Sequence, residues 1–320
     1  MIKAGIIGGA GYTAGELLRI LINHPEVEIS FVNSKSNAGA KLYSVHEGLI
    51  GETEMEFADY MDLESIDVLF ICSAHGDSKV FLEANPLPGK LKVVDLAQDF
   101  RDESCGFVYG LPEYQRDRIR NARLVANPGC FATCIQLGLL PLASAGLLKN
   151  EVAVTGITGS TGAGVKPSQT SHFSWRNNNI SVYKAFTHQH LLEINRTLSA
   201  LQGSVPGTIN FVPVRGDFAR GIFAVMFTDC ALSEEEARRL YDDYYASAAF
   251  TFTMAGNPDM KQVVNTNKAV VHVEKHGDKL LILSCIDNLL KGASGQAVQN
   301  MNLMFGLDEK CGLNLKSSAF

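Results

Sequence analysis

Short apolar runs alternate with stretches of helical periodicity through the first half of the chain. The apolar runs predict strands at 2–7, 27–32, 68–72 and 91–96, and the periodicity predicts a first helix at 14–23. Such alternation is typical of a parallel sheet with helices on both faces. The first half therefore predicts a domain of the α/β class.

The pattern changes after an apolar helix predicted at 131–145. Longer strands are predicted at 152–157, 208–214, 222–227, 269–273 and 279–286, with helices at 188–201 and 233–248. Ser233 and Glu236 form a capping-box pair at the start of the second of these helices. We expect a mostly antiparallel sheet in an α+β domain over 130–292. A last helix at 293–305 returns the chain to the first domain, which we expect to comprise 1–129 and 293–320.

Composition narrows the class of protein. A length of 320 residues suggests about two domains, and 46% hydrophobic residues supply ample material for a core. A net charge of −6 without a basic cluster argues against a nucleic-acid or membrane partner. We expect no signal peptide and no transmembrane segment. The seven cysteines lack metal spacing, which predicts no metal site and a reducing, cytoplasmic location.

One cysteine lies between a Pro-Gly turn and a helical run. The segment reads Asn127-Pro128-Gly129-Cys130, and the apolar helix follows from Phe131. Free N–H groups and the helix dipole stabilise a thiolate at such a position, which would make Cys130 a nucleophile. A small buried cysteine in a tight turn is the alternative. Cys134, four residues further on, is interpreted as a core residue.

A glycine-rich loop follows the first strand and opens the first helix. It reads Gly8-Gly9-Ala10-Gly11-Tyr12-Thr13. In this strand–loop–helix context, backbone N–H groups can approach a pyrophosphate at the helix N-terminus. A plain strand-to-helix turn is the alternative.

The end of the second strand indicates which dinucleotide binds. NAD enzymes usually carry an acidic residue there for the ribose hydroxyls. This chain has Ser34, Lys35 and Ser36 instead, a group that suits the 2′-phosphate of NADP. A polar loop without a ligand is the alternative.

Two histidines and two arginines are further candidates. His188 and His190 begin the helix predicted at 188–201, where their spacing of two should point them in different directions. Either one is a natural proton donor and acceptor near neutral pH. Arg215 and Arg220 flank a loop at a strand end, and arginine grips carboxylate or phosphate in two-pronged fashion. Structural histidines and surface arginines are the alternatives.

Together these segments resemble the N-acetyl-γ-glutamyl-phosphate reductase family, relatives of aspartate-semialdehyde dehydrogenase, over nearly the whole chain. The most specific match is the segment from Asn127 through Cys130 and Thr133 to Pro141. Further matches are Gly8, Gly11, Tyr12 and Thr13 in the opening loop, Ser34-Lys35-Ser36, His75-Gly76 in the loop that starts near Ser73, Ser160 to Gly164 including Gly162, and Asn288 to Gly295 including Lys291.

The resemblance implies a fold and an activity. The fold would be a Rossmann dinucleotide-binding domain with an α+β catalytic domain of the glyceraldehyde-phosphate/aspartate-semialdehyde dehydrogenase type. The activity would be NADPH-dependent reduction of N-acetyl-γ-glutamyl phosphate through a Cys130 thioester, in arginine biosynthesis, by a homodimer or homotetramer. His188 or His190 would move protons, while Asn127, Arg215 and Arg220 would bind the acyl phosphate. The cofactor residues would be those of the matched loops.

The chain departs from the family pattern at three points. In the opening loop, Ala14 stands where the family has its third glycine, with Gly15 beside it. Gln189 replaces the arginine between the two histidines, and Val214-Arg215 replaces a His-Leu pair beside Arg220. The last change leaves the N-acyl group open, since Arg215 could pair with the extra carboxylate of an N-succinyl substrate. An aspartyl or aminoadipyl phosphate remains an alternative substrate. An NADP-binding redox regulator is the alternative from another class.

Overall fold

A computed structural model describes residues 1–318. Contacts divide the described chain into two units, Met1–Pro128 with Ala293–Asn314, and Gly129–Gly292 with 315–318. The predicted α/β fold with a second, catalytic-type sheet is confirmed. Each unit has its own sheet and its own helices.

The first unit contains a six-stranded sheet in the order β2-β1-β3-β4-β6-β5, and every neighbouring pair is parallel. Its strands are β1 (Ile2–Ile7), β2 (Val27–Asn33), β3 (Val68–Ile71), β4 (Lys92–Asp95), β5 (Val108–Tyr109) and β6 (Leu124–Ala126). Its helices are α1 (Tyr12–Leu21), α2 (Asp77–Ala84), α3 (Pro112–Arg120) and, near the C-terminus, α8 (Ser294–Met304). The order reverses between β1 and β3, which is where such sheets bind ligands, beyond the carboxyl ends of the strands.

The second unit contains a seven-stranded sheet in the order β11-β12-β13-β10-β7-β9-β8. Its strands are β7 (Val152–Thr158), β8 (Ser181–Val182), β9 (Ile209–Arg215), β10 (Ile222–Asp229), β11 (Thr251–Thr253), β12 (Ala269–His276) and β13 (Lys279–Ile286). Its helices are α4 (Cys130–Ser144), α5 (Phe173–Arg176), α6 (His190–Gln202) and α7 (Glu234–Tyr245). The sheet is mixed, because β7–β9 and β11–β12 pair in parallel.

Helix α4 forms the core of the second unit, as its apolar sequence predicts. Residues 131–143 are all buried, against β10, β12, β13, α6 and α7. Pro141 has no N–H to donate to the carbonyl of Leu137, four residues earlier. The hydroxyl of Tyr245 on α7 donates to that carbonyl instead, so the freed acceptor is satisfied and the helix continues. Cys134 is fully buried, as predicted.

Several boundaries differ from the predictions. Helix α1 begins at Tyr12 rather than 14, because Gly11 is already its extended N-cap residue. Helix α6 begins at His190, so His188 lies before the helix. The sequence patterns missed the helices α2, α3 and α5 and the strands β5, β6, β8 and β11. Each of these four strands has only two or three residues, too few for a period to show.

Candidate active site

Cys130 is the first residue of α4. Gly129 caps the helix in an extended conformation without a side-chain hydrogen bond, and the first turn holds no acidic residue. Early N–H groups of a helix have no partner within it and favour a negative charge nearby. The half-buried thiol of Cys130 therefore occupies the predicted helix-start position.

The segment Asp287–Gly292 lies directly against Cys130. Asp287 Oδ1 accepts hydrogen bonds from the N–H groups of Leu289 and Leu290, and Gly292 N–H donates to the carbonyl of Asp287. A Cβ placed on Gly292 would lie 2.8 Å from Cys130 Cβ. Only glycine permits so close an approach. Lys291, predicted from the resemblance to bind cofactor, is fully buried beside it.

The two histidine rings lie together, contrary to the expectation that they point apart. Their centroids are 4.6 Å apart at 75°. Because His188 precedes the helix, its Nδ1 can accept a hydrogen bond from the His190 N–H, at 3.2 Å. Phe131, the neighbour of Cys130, packs edge-on against both rings at 5.6 and 6.5 Å. The structure thus brings both predicted histidines to the start of α4.

The electrostatic surroundings of His188 keep it neutral. Burial, and then the positive charges of Lys184 and Arg215, lower its pKa to about 4. With Nδ1 accepting a hydrogen bond, the proton of the neutral ring lies on Nε2. His188 is therefore a neutral donor at physiological pH.

Glu193 is a site residue that the sequence analysis did not identify. Its side chain is buried; Oε2 accepts the N–H of Gly129 at 3.1 Å, and Oε1 lies 4.0 Å from His190 Nε2. Residues three apart share a helix face. The His-x-x-Glu spacing on α6 was the available signal.

Arg220 and Arg215 have different surroundings. Arg220 Nε and Nη2 both donate to Asp287, each at 3.1 Å, so this guanidinium grips a buried carboxylate of the chain itself. Arg215 lies over the ring of Tyr183 at 4.5 Å and forms no ion pair with any residue in the described part of the chain. Its carbonyl accepts a 2.8 Å hydrogen bond from the buried Arg176. Arg215 is therefore an anchored cation near His188.

The loop Ser160–Ala163 follows β7. Ser160 N–H donates to Phe218 O and Thr161 N–H donates to Ala219 O, which fixes the loop to the turn before Arg220. Asn288 accepts from Gly221 N–H and donates to Thr161 Oγ1 at 3.0 Å. The predicted residues Ser160, Gly162 and Asn288 thus belong to one connected group of loops in the second unit.

In the first unit, the glycine loop lies at the reversal point of the sheet. Gly8 has a φ of +72°, and a Cβ there would lie 2.7 Å from the carbonyl of Cys72, so the loops after β1 and β3 touch backbone to backbone. Helix α1 has no side-chain cap and no acid in its first turn. The N–H groups of Tyr12, Thr13 and Ala14 donate to no group among residues 1–318. This helix start fits a pyrophosphate.

The loop after β2 fits a 2′-phosphate. Ser34 Oγ and Ser36 Oγ both accept from Asn37 Nδ2, at 2.9 and 3.1 Å, which leaves their hydroxyl hydrogens to donate elsewhere. Lys35 is exposed and forms no ion pair with a described residue. The loop therefore presents donors and one cation without a competing acid.

Of the other residues predicted to bind ligands in the first unit, three lie in one loop and one is buried. Ser73, His75 and Gly76 lie in the loop between β3 and α2, where Gly76 N–H donates to Asp99. Asn127 is 1% exposed; its amide donates to Ala293 O and accepts from Asn300, both at 3.0 Å. Its side chain is used within its own unit, and this geometry favours a positioning role over the predicted contact with substrate.

Residues 1–318 hold no cluster of three or more metal-ligating side chains. Nor does this part of the chain contain a helix of the length and apolarity needed to cross a membrane.

Comparison with known proteins defines the class. Residues 3–122 match the family described as semialdehyde dehydrogenase, NAD binding domain, and residues 130–288 match the semialdehyde dehydrogenase dimerisation domain. The chain thus belongs to the semialdehyde dehydrogenase class. The predicted nicotinamide-dinucleotide cofactor agrees with the first match, and the predicted oligomer agrees with the second.

Within that class, the chain belongs to the N-acetyl-gamma-glutamyl-phosphate reductase family. Proteins with that name from Parabacteroides distasonis and Bacteroides fragilis are 62% and 63% identical over 322 residues, covering the whole of both chains. One from Flavobacterium johnsoniae is 52% identical over 326 residues, again over both full lengths. The predicted resemblance and enzyme class are confirmed.

Solved structures agree with this fold. Aspartate semialdehyde dehydrogenase with NADP from Candida albicans has a TM-score of 0.74 at 15% identity, over 95% of this chain and 98% of that one. Aspartate semialdehyde dehydrogenase II from Vibrio cholerae has a TM-score of 0.71 at 15% identity, over 96% and 98%. Identity this low bears on the fold alone.

Proposed function

We propose that this protein reduces N-acetyl-γ-glutamyl phosphate to N-acetylglutamate semialdehyde with NADPH and releases phosphate, in arginine biosynthesis. The names of its relatives support the substrate. The observation that carries the proposal is Cys130, the first residue of an uncapped helix, with Gly292 against it and two histidines packed on its neighbour Phe131. A nucleophile beside proton-carrying groups is the arrangement that acyl transfer requires.

Cys130 acts as the nucleophile. Its thiolate attacks the acyl carbon, the new C–S bond forms, and the C–O bond to phosphate breaks. A proton from His188 or His190 goes to the departing phosphate oxygen. The reduced dinucleotide, when bound, supplies the hydride that converts the thioester to the aldehyde level. The C–S bond then breaks, which releases the aldehyde and restores the thiolate of Cys130.

Several of the loops described above are proposed to contact NADP. The N–H groups at the start of α1, with Gly8, Gly11, Tyr12 and Thr13, would bind the pyrophosphate. The loop of Ser34, Lys35 and Ser36 would bind the 2′-phosphate. The other proposed contacts are Ser73, His75, Gly76, Ser160, Gly162, Asn288 and Lys291.

The second sheet supports a homodimer or homotetramer. On β10, Ile222, Ala224 and Met226 are fully buried, whereas the alternate residues Phe223 and Val225 are half-buried and Phe227 is 48% exposed. An apolar sheet face of this kind marks an association surface, and the match to a dimerisation domain favours a second copy. Phe227→Arg should lower the mass measured by sedimentation equilibrium; an unchanged mass contradicts this surface. We further propose a cytoplasmic location, because none of the seven cysteines forms a disulfide.

The position of Arg215 favours testing an N-succinyl substrate beside the N-acetyl one. This cation lies over Tyr183 without an acidic partner among the described residues. An N-succinyl substrate carries an additional carboxylate that could pair with it.

The reverse reaction tests the proposal. Phosphate-dependent reduction of NADP by N-acetylglutamate semialdehyde should be readily measured, with aspartate and aminoadipate semialdehydes assayed in parallel. Turnover with aspartate semialdehyde alone would contradict the proposed substrate. A redox regulator would give no turnover with any of them.

A further inference from the structure

The two histidines beside Phe131 have opposite electrostatic surroundings. His188 faces the cations Lys184 and Arg215 and the phenol of Tyr183. His190 faces the carboxylate of Glu193, whose Oε1 lies 4.0 Å from His190 Nε2. The thiol of Cys130 lies at the start of α4, where its neighbour Phe131 packs against both rings. His190 is thus the ring that has a carboxylate on its own helix.

We propose that Glu193 is a positioning residue that makes His190 the proton-carrying histidine of the site, while His188 remains a neutral hydrogen-bond donor. This assignment rests on the proposed function, since it concerns the proton delivered to the departing phosphate. It goes beyond that function by distinguishing the two rings and by adding a third residue to the nucleophile–histidine pair.

Glu193 is suited to this role by its second contact. Its other oxygen, Oε2, accepts the N–H of Gly129, the N-cap of the helix that Cys130 begins. The carboxylate is 6% exposed, so solvent screens its charge little. One buried anion therefore fixes the position of the nucleophile's helix start relative to the histidine. A nucleophile, a base and a group that orients the base form the general pattern of an activated site.

The neutral state of His188 follows from geometry as well as charge. Its Nδ1 accepts the His190 N–H, one of the groups at the start of α6 that need an external acceptor. Protonation of that nitrogen would break this hydrogen bond and place a cation at the positive end of the helix dipole. Burial and the two neighbouring cations act in the same direction on its pKa.

In the chemical step, the imidazolium of His190 gives a ring proton to the phosphate oxygen as the C–O bond breaks. The phosphate leaves with that proton, and the ring is left neutral. A proton from solvent then restores the imidazolium before the next turnover. The overall step consumes one proton for each phosphate released. Activity should therefore fall at high pH, where His190 loses its proton.

The test measures the protonation of His190 in the free protein and in turnover. Glu193→Gln keeps an amide oxygen to accept from Gly129 N–H but removes the charge. In ¹³C-histidine-labelled protein, with the His190 signal assigned by His190→Gln, the titration midpoint should fall by about 1 pH unit. The alkaline midpoint of kcat/KM should move down by the same amount. Glu193→Asp should keep the midpoint near its wild-type pH even where the rate falls.

Each outcome decides the proposal. If Glu193→Gln lowers activity equally at every pH and leaves the His190 titration in place, Glu193 is merely structural and the proposal is wrong. It is also wrong if His188→Gln, rather than His190→Gln, removes the alkaline midpoint. A thermal unfolding midpoint close to wild type shows that each variant is folded. Failure here leaves the reductase activity of the wild-type protein intact, and so is distinguishable from failure of the proposed function.

Discussion

Gly292 and Cys130 approach each other so closely that a Cβ on residue 292 would lie 2.8 Å from Cys130 Cβ. The same Cβ would lie 2.6 Å from the carbonyl oxygen of Asn288. Backbone cannot give way as a flexible side chain does. The tight turn that ends at Gly292 is thus shaped by the residue that begins α4.

Gly292→Ala should therefore displace the turn and destabilise the second unit. Overpacking of this kind costs about 1–3 kcal/mol, which should lower the unfolding temperature by roughly 3–10 °C. Differential scanning calorimetry measures the change. Gly256→Ala is the matched control, because a Cβ there meets nothing within 4 Å. Equal effects of the two substitutions would contradict the proposed close packing.

Cys130→Ser should abolish turnover and leave NADPH binding nearly unchanged. Serine forms its alkoxide far less readily than cysteine forms a thiolate, and loss of a required nucleophile lowers the rate by about 10³-fold or more. Steady-state assays and fluorescence titration with NADPH measure the two effects. Cys134→Ser is the control on the same helix, because burial raises the pKa of that thiol to about 12. The nucleophile assignment is wrong if Cys130→Ser remains active.

Ser34→Asp should shift preference from NADPH toward NADH. The new carboxylate would repel a 2′-phosphate and remove a hydroxyl donor, a change of roughly 1–3 kcal/mol, or about tenfold in relative kcat/KM. Ser65→Asp is the control, since Ser65 is exposed just before β3, at the amino end of the strands. Equal wild-type efficiency with both dinucleotides would exclude the assignment of this loop.

Local patterns were sufficient to predict the segments in which sequence neighbours determine the structure. Strand β1, its glycine loop and α1 adjoin in the chain, as do the Pro-Gly turn and α4. The position of a strand in a mixed sheet depends on partners distant in sequence. The parallel pairing of β7 with β9, for example, joins Val152 to Ile209. No local pattern specifies that pairing.

In the candidate active site, too, only the features that sequence neighbours determine could be predicted. The helix start at Cys130 is predictable because its sequence neighbours define that start. The contact between His188 and His190 is not, because a helix through both would point them apart, whereas the helix begins only at His190. The pairing of Arg220 with Asp287 spans 67 residues and was invisible in the sequence. Glu193 could have been found, because its spacing from His190 places both on one helix face.

Asp95 should make the first unit less stable as pH rises. The residue is fully buried, and burial raises its pKa from 3.8 to about 6. Oδ1 accepts from Ser78 and from the N–H of Ala97, while Oδ2 has no partner among the described residues. The native pKa exceeds the unfolded one. The contribution of Asp95 to the free energy of unfolding is therefore present in full below pH 3.8. It is lost as pH rises through about 6.

Asp95→Asn should remove this pH dependence. The difference in unfolding free energy between variant and wild type should move in favour of the variant by roughly 2–3 kcal/mol between pH 4 and pH 7.5. Urea unfolding at fixed protein concentration measures it at each pH. Asp59→Asn, at an exposed carboxylate, should show no such trend. A pH-independent difference for Asp95→Asn would mean that Asp95 titrates normally.

Arg215 is fixed in position by its neighbours, as a residue that binds part of the substrate would be. Arg176, itself 5% exposed, donates to its carbonyl at 2.8 Å, and the Tyr183 ring supports its guanidinium at 4.5 Å. The alternative of an ion pair with Asp217 is not observed, since Asp217 accepts instead from the N–H of Asn178. The charge of Arg215 thus has no acidic counterpart among residues 1–318.

If Arg215 reads an extra carboxylate, wild type should prefer N-succinyl over N-acetyl glutamate semialdehyde, and Arg215→Ala should lower kcat/KM for the succinyl compound alone. A hydrogen-bonded charge pair contributes about 1.5–3 kcal/mol, or tenfold and more. Arg215→Lys should recover only part of the loss, because lysine lacks the two-pronged geometry. Both semialdehydes are assayed in the reverse direction with NADP and phosphate. A wild-type preference for the acetyl compound, or equal losses with both in Arg215→Ala, would exclude Arg215 as the residue that selects the acyl group.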